Sequence, residues 1–273
     1  MPPWKPSSAG ITEISLPYLS KQKSMAMFDS SNPTLKERTF ERSVSADYQG
    51  DTMTLQGSLN KFGILMALLI ASTLFSWDQF QKGSDPTTFM LVGLFGGIVM
   101  ALIMMFKMAW SPVLAPGYAV MQGLFLGSIS AFVNEAYPGL PMQAVSLTLL
   151  VAGLMFLVYR FRIIPVTQRF RQIIVVTTVA LSIFYLIQWI TSQFMGSPIA
   201  GATMDSSAFG IGFSVFVVIL ASLNLLLNFD MIEKGAEMQA PKFMEWYSAF
   251  GLLVTLIWLY LEILRLLTKL QRR

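Results

Sequence analysis

Two carboxylates in apolar surroundings are the residues most able to do chemistry in this chain. Asp230 closes the run from Phe216 to Phe229, and Glu262 sits between Leu256–Leu261 and Ile263–Leu264. Placing such a charge in hydrocarbon costs ~2.5–3.5 kcal/mol on insertion scales, so an intramembrane acid is a candidate for function. If neighbouring helices bring the two within hydrogen-bond reach, both cannot ionise cheaply, and they share a proton whose titration belongs to the pair. Ionised, the pair offers hard oxygens to Ca²⁺. Two carboxylates fall short of the ~6–8 oxygens that ion prefers, which suits weak binding on a permeation path better than storage. A second reading stays open beside this one. Lys234 follows Asp230 at i,i+4 and Arg265 follows Glu262 at i,i+3, so both acids could form helix-end salt bridges at headgroup level.

Four further polar residues lie in or beside apolar runs. Lys107 ends one run and either neutralises one of the acids or snorkels to the interface. Gln122, Asn224 and Asn228 are expected to form interhelical hydrogen bonds, and could line a polar cavity. Enzymatic chemistry has little to stand on. The chain contains neither His nor Cys, which removes imidazole and thiol nucleophiles, disulfides and the usual metal ligands. No Ser/His arrangement or phosphate-cradling glycine loop accompanies the acids, so no cofactor is expected. A retinal protein is disfavoured because the last span has no Lys between Phe243 and Thr268.

The elements that must hold these residues follow from composition. Hydrophobic residues make up 54% of the chain, charged residues 12%, and the mean hydropathy is +0.59, values of an integral membrane protein. Long apolar runs without alternating polarity predict a helical bundle and not a barrel. Seven spans are predicted: 62–77, extended back toward Leu55 to reach bilayer length, 88–106, 118–133 after a Pro-containing break at 111–117, 142–159, 173–190, 209–232 and 246–267. Residues 1–57, rich in Pro, Ser, Lys and Glu, read as a flexible polar tail, leaving 58–273 as the membrane domain. Met25 and Met27 are alternative starts to Met1. The net charge of +4 is small for 273 residues, and nucleic acid is not an expected partner.

Arg160, Arg162, Arg169 and Arg171 cluster between the fourth and fifth spans, whereas 134–141 and 193–207 carry no Lys or Arg. The charge rule therefore predicts that this loop and the N-terminus are cytoplasmic. Seven crossings would then put Arg265, Lys269, Arg272 and Arg273 outside, against the rule; a re-entrant last segment would return them, and the side of the C-terminus stays open. Gly63, Ala67 and Ala71, Gly93 and Gly97, and Gly123 and Gly127 are expected to let helices of one subunit approach closely.

Three segments together resemble a known family. Met121–Ser130, the stretch Ala221–Glu237 containing Asn228-Phe229-Asp230, and Leu259–Arg265 are similar to the Bax inhibitor-1 family in its bacterial YccA-like branch. The resemblance implies six helices around a central seventh, an acidic pair matching Asp230 and Glu262 that senses pH for a Ca²⁺ leak, and a bacterial inner-membrane location with a possible membrane protease as partner. A non-conducting regulator of such a protease or of stress response is the alternative. Glu262 replaces the family's common Asp, Gln122 stands where many relatives have Glu, and the connection from Glu233 to Glu245 looks long.

Overall fold

The computed structural model describes residues 50–195, 203 and 205–272, without the side chains of 193–195. The expected polar tail, with Met25, Met27 and Arg42, lies outside the described residues up to 49. Among those described, seven helices are long and apolar enough to cross a membrane. They are α1 (Leu55–Gln81), α2 (Pro86–Phe106), α3 (Ser111–Ala136), α4 (Leu140–Arg160), α5 (Gln168–Met195), α6 (Ala208–Glu237) and α7 (Met244–Gln271). The all-α membrane architecture expected from composition is therefore present. Each helix is longer than its apolar run, because caps and polar turns extend it past the hydrocarbon. Thr54 caps α1 by accepting the Gly57 N–H. At the next connection Asp85 accepts the Thr87 N–H at 2.9 Å and Pro86 occupies the first turn of α2, where its missing donor costs nothing. That amide bond holds the Asp85 carboxyl below the usual carboxylate range.

Two expected boundaries are corrected. The stretch 111–117 is not a break: a 3-10 turn, Met108–Trp110, leads straight into α3, with Pro112 in the first turn and Pro116 inside the helix. Pro116 forfeits only one bond, to the carbonyl four residues back, and a membrane helix tolerates that loss. The connection from Glu233 to Glu245 is short, since α6 continues to Glu237 and α7 starts at Met244. The final segment is one unbroken helix, not a re-entrant one.

α7 is central. It packs on α6, α1, α4 and α3 and reaches α5 through side chains described below; α3 and α6 are enclosed almost as fully as α7, whereas α2, α4 and α5 turn most of their surface outward. Phe95, Leu150, Val176 and Trp189 are among the large apolar side chains left exposed on those helices, as lipid contact requires. The starts of α1, α3 and α7 meet at one face of the bundle. Ser111 Oγ donates to the Phe243 carbonyl at 2.9 Å, Met53 N–H donates to the Ala240 carbonyl at 2.6 Å, and Thr52 and Pro241 form an isolated antiparallel bridge. We refer to this as the first face; at the opposite face Arg272 Nε donates to the Tyr137 hydroxyl at 3.2 Å.

The α1–α3–α2 layer is held by close backbone approach. A Cβ at Gly123 would meet Ser72 and the Leu69 carbonyl, one at Gly127 the Thr73 carbonyl and Ser76, and one at Gly93 the Met121 carbonyl and Phe125. Ser76 and Ser128 share a hydrogen bond of 2.8 Å across the same seam. Gly63, Ala67 and Ala71 do not take part as expected, because all three are exposed on the outer side of α1 and Gly63 has open space where its Cβ would be. Gly127→Val should therefore lower stability by about 1–3 kcal/mol through overpacking, read as a lower melting temperature in detergent. Gly63→Val should leave it unchanged, and equal effects of the two would refute this packing.

Candidate functional site

The two acids are buried, with Asp230 6% and Glu262 2% exposed, yet each is held by its own cation. Asp230, on α6, forms an ion pair with Arg171 of α5 and a second, at 3.0 Å, with Lys234 one turn along α6. On α7, Arg265 Nη1 lies 3.0 Å from both oxygens of Glu262. The Tyr185 hydroxyl of α5 and the Trp258 indole N–H each donate to Glu262 Oε1 at 3.3 Å, and Arg265 also donates to the Tyr185 hydroxyl and lies over its ring. No hydrogen bond joins the two carboxylates. Their separation follows from the helix register: Asn228 Nδ2 donates to Thr255 Oγ1 at 2.6 Å, which sets Asp230 level with about residue 253 of the antiparallel α7. Glu262 is then about nine residues further, ~13 Å along the axis at the α-helical rise. The shared-proton geometry expected from sequence is not the arrangement found.

What the structure assembles instead is a column of polar groups between α5, α6 and α7. From the first face it starts with Arg171, Asp230 and Lys234, beside which Tyr159 of α4 and Arg162, two residues past its end, both bond Glu233. It continues through Asn228 with Thr255 and through Asn224, whose amide donates to Thr178 Oγ1 at 2.9 Å. The Tyr185–Glu262–Arg265 cluster follows, and near the opposite face Gln188 donates to Thr203 Oγ1 at 2.6 Å. Arg171, Thr178 and Tyr185 recur at seven-residue intervals on one face of α5, with the buried Ile174 and Leu181 between them. A heptad interval keeps residues on one stripe of a helix, and this was the signal in the sequence that could have identified α5 as the third wall.

Asn224 and Asn228 thus lie in the column as interhelical hydrogen-bond donors. Gln122 does not join them, because it packs between α2 and α3 with its amide against Gly97. Lys107 is exposed with its ammonium 4.4 Å over the Trp110 ring. It is not the acids' partner; that part is taken by Arg171, Lys234 and Arg265.

A third acid was missed. Glu245, in the first turn of α7, is fully buried, and its Oε1 accepts the Thr54 N–H at 3.0 Å and the Thr54 hydroxyl at 2.9 Å while pairing with Lys242 at 3.1 Å. It ties the start of α1 to the start of α7. Gly57 leaves the space for its carboxylate, which a Cβ there would overlap. The described residues contain no group of three or more acids that could hold a metal ion.

The model of one family, described as Bax inhibitor 1 like, matches residues 32–272. No curated protein and no solved structure matches the chain.

The two partners of Asp230 differ in exposure, with the Arg171 side chain 16% and the Lys234 side chain 37% accessible. In a double-mutant cycle on detergent stability, Asp230 should couple to Arg171 by about 1–3 kcal/mol, as a partly desolvated pair does, and to Lys234 by under about 1 kcal/mol. Equal couplings would show that burial does not rank these contacts.

Proposed function

The chain belongs to the Bax inhibitor 1 like family, and from that membership we propose that it is a pH-sensitive cation leak, with Ca²⁺ as permeant ion, whose path is the polar column between α5, α6 and α7. The observation that carries the reading is the column itself. Polar groups follow one another on three helix faces from Arg171 to Thr203, in a protein whose remaining outer surface suits lipid. Helices that only needed to pack would do so without isolating two acids in the interior, each at the cost noted for charge in hydrocarbon.

In this reading Asp230 is the lock. Ionised, it draws Arg171 against α6 and holds α5 closed at the first face. A proton on Asp230 removes that attraction, so α5 loosens as pH falls. Glu262 is the cation ligand further along. Its oxygens face Arg265 in the closed state and become available to Ca²⁺ when Arg265 turns away, with the Tyr185 hydroxyl supplying a neutral oxygen beside it. The protein is thus a conduit and not an enzyme. We place it in a bacterial inner membrane with the first face cytoplasmic: Arg160, Arg162 and Arg169 lie at that face, and Arg265 is engaged inside the bundle, so it weighs little against the charge rule.

Reconstitution in liposomes loaded with a Ca²⁺ dye tests this. Flux through the wild type should rise several-fold on acidification. Asp230→Asn should give a raised flux that no longer responds to pH, whereas Glu262→Gln should lower flux at every pH. A wild-type flux indifferent to pH and unchanged by Asp230→Asn ends the proposal, and equal effects of the two substitutions would overturn the division into a lock and a ligand.

A further inference from the structure

The turn between α4 and α5 leaves two large apolar side chains in the open, Phe161 70% and Ile163 65% exposed. Arg162 N–H donates to the Tyr159 carbonyl at 3.0 Å and Ile163 N–H to the Val158 carbonyl at 3.0 Å, the two bonds that close a helix in a Schellman motif. That motif ordinarily folds its final apolar residue back on the helix. Ile163 turns outward instead, while Val166 and Phe170 further on pack against the bundle. The left-handed position of the motif, with φ 55°, holds Arg162, where glycine would sit without conformational cost. Its bond to Glu233 uses part of a five-donor fork, and 71% of the side chain stays accessible. Arg160 and Arg169 flank it. Both are exposed, neither has an ion-pair partner among the described residues, and no acid occurs from 160 to 171.

We propose that this turn docks an anionic phospholipid, with Phe161 and Ile163 entering the acyl boundary and Arg160, Arg162 and Arg169 holding the headgroup phosphate. Basic and apolar side chains alternating on one short turn match a molecule that is anionic at one end and apolar at the other. The patch continues onto the lipid-facing surface: Leu157 lies one turn before Phe161 and Ile173 one turn after Arg169, both exposed, so a lipid seated against those helices brings its phosphate to the turn. Guanidinium groups take a phosphate through paired N–H bonds. A soluble anion would engage the arginines and leave Phe161 and Ile163 in water, losing the gain from burying them. The charge rule accounts for arginines at this face, but not for the two apolar side chains set among them. The site stands whether or not the proposed leak does.

Fluorescence quenching in bilayers tests both halves of the site. Phe161→Trp places a reporter in the turn, and its emission is taken as the difference from the wild type in phosphatidylcholine vesicles. Brominated phosphatidylglycerol is then compared, at equal mole fraction, with brominated phosphatidylcholine, whose headgroup cation offsets its phosphate. Both should quench the reporter, because the bromine sits on the acyl chains, and phosphatidylglycerol should do so with a relative association constant about fivefold higher. Each of Arg160→Gln and Arg169→Gln should lower that ratio about twofold. Lys107→Gln, which removes one charge from the same face away from the turn, should leave it unchanged. Quenching by neither lipid would show the turn in water and overturn the docking. Equal constants for the two lipids would overturn the headgroup contact, and so would an equal fall on Lys107→Gln, since diffuse attraction to the whole face would then suffice. If Phe161→Trp does not accumulate, Ile163→Trp is read by the same criteria.

Discussion

A charge inside this bundle must find its partner within the protein, because hydrocarbon supplies neither counter-ion nor water. That constraint governs how α5 is attached. Its outer side carries Ile173, Val176, Ile183 and Ile187, all exposed, and in lipid these gain little by docking elsewhere. What positions α5 is the stripe of Arg171, Thr178, Tyr185 and Gln188, each bonded to another part of the chain, with dispersion at Ile174 and Leu181. α1 is attached by different means. Gly123 and Gly127 let its backbone come against α3, a joint built from shape that does not respond to protons. One bundle therefore holds a close-packed half and a half whose contacts include titratable groups.

The charges on α7 are sorted by the same constraint. Glu245 is buried against the start of α1, Glu262 and Arg265 are paired with each other, and Lys269 is enclosed by oxygens. Arg265 and Lys269 are thus engaged inside the bundle and are not free loop charges. Topology rules count charges that must stay in water on one side, so a cation satisfied inside the bundle should weigh less than its presence in a sequence window suggests. An unbroken seventh crossing then agrees with the strong Arg cluster between α4 and α5.

The spans were legible because hydropathy over a helix length depends only on neighbouring residues. Their ends were less so. Pro112 and Pro116 read as a break, yet the first turns of a helix have few donors to lose, and the chain runs through them. The acids were legible as isolated charges, and so were their same-helix partners Lys234 and Arg265, one turn along; the cross-helix partner Arg171 was not. Arg171 was read as a topology signal and Lys269 as a loop cation, since pairing across helices depends on rotation about axes that local sequence does not record. Lys107, the only basic residue between Lys82 and Arg160, sits over Trp110 instead of reaching an acid. The seven-residue recurrence on α5 did carry the missing information, but its members are an arginine, a threonine and a tyrosine. No scan for a single residue type would have grouped them.

Separate cations for Asp230 and Glu262 change what a proton can do. Two acids in contact titrate as one unit, and occupancy of one depends on the other. With ~13 Å of helix between them, each has its own partners: Asp230 two cations, one on its own helix and one on α5, Glu262 the side chains of Arg265, Tyr185 and Trp258. Of the two, only Asp230 is ion-paired across helices, to Arg171 of α5. Glu262 and Arg265 sit one turn apart on α7, and their link to α5 is through the neutral Tyr185 hydroxyl and not through an ion pair. In the proposed leak the lock therefore falls to Asp230 and the ligand to Glu262, an asymmetry that two neighbouring carboxylates on equivalent helices could not have produced.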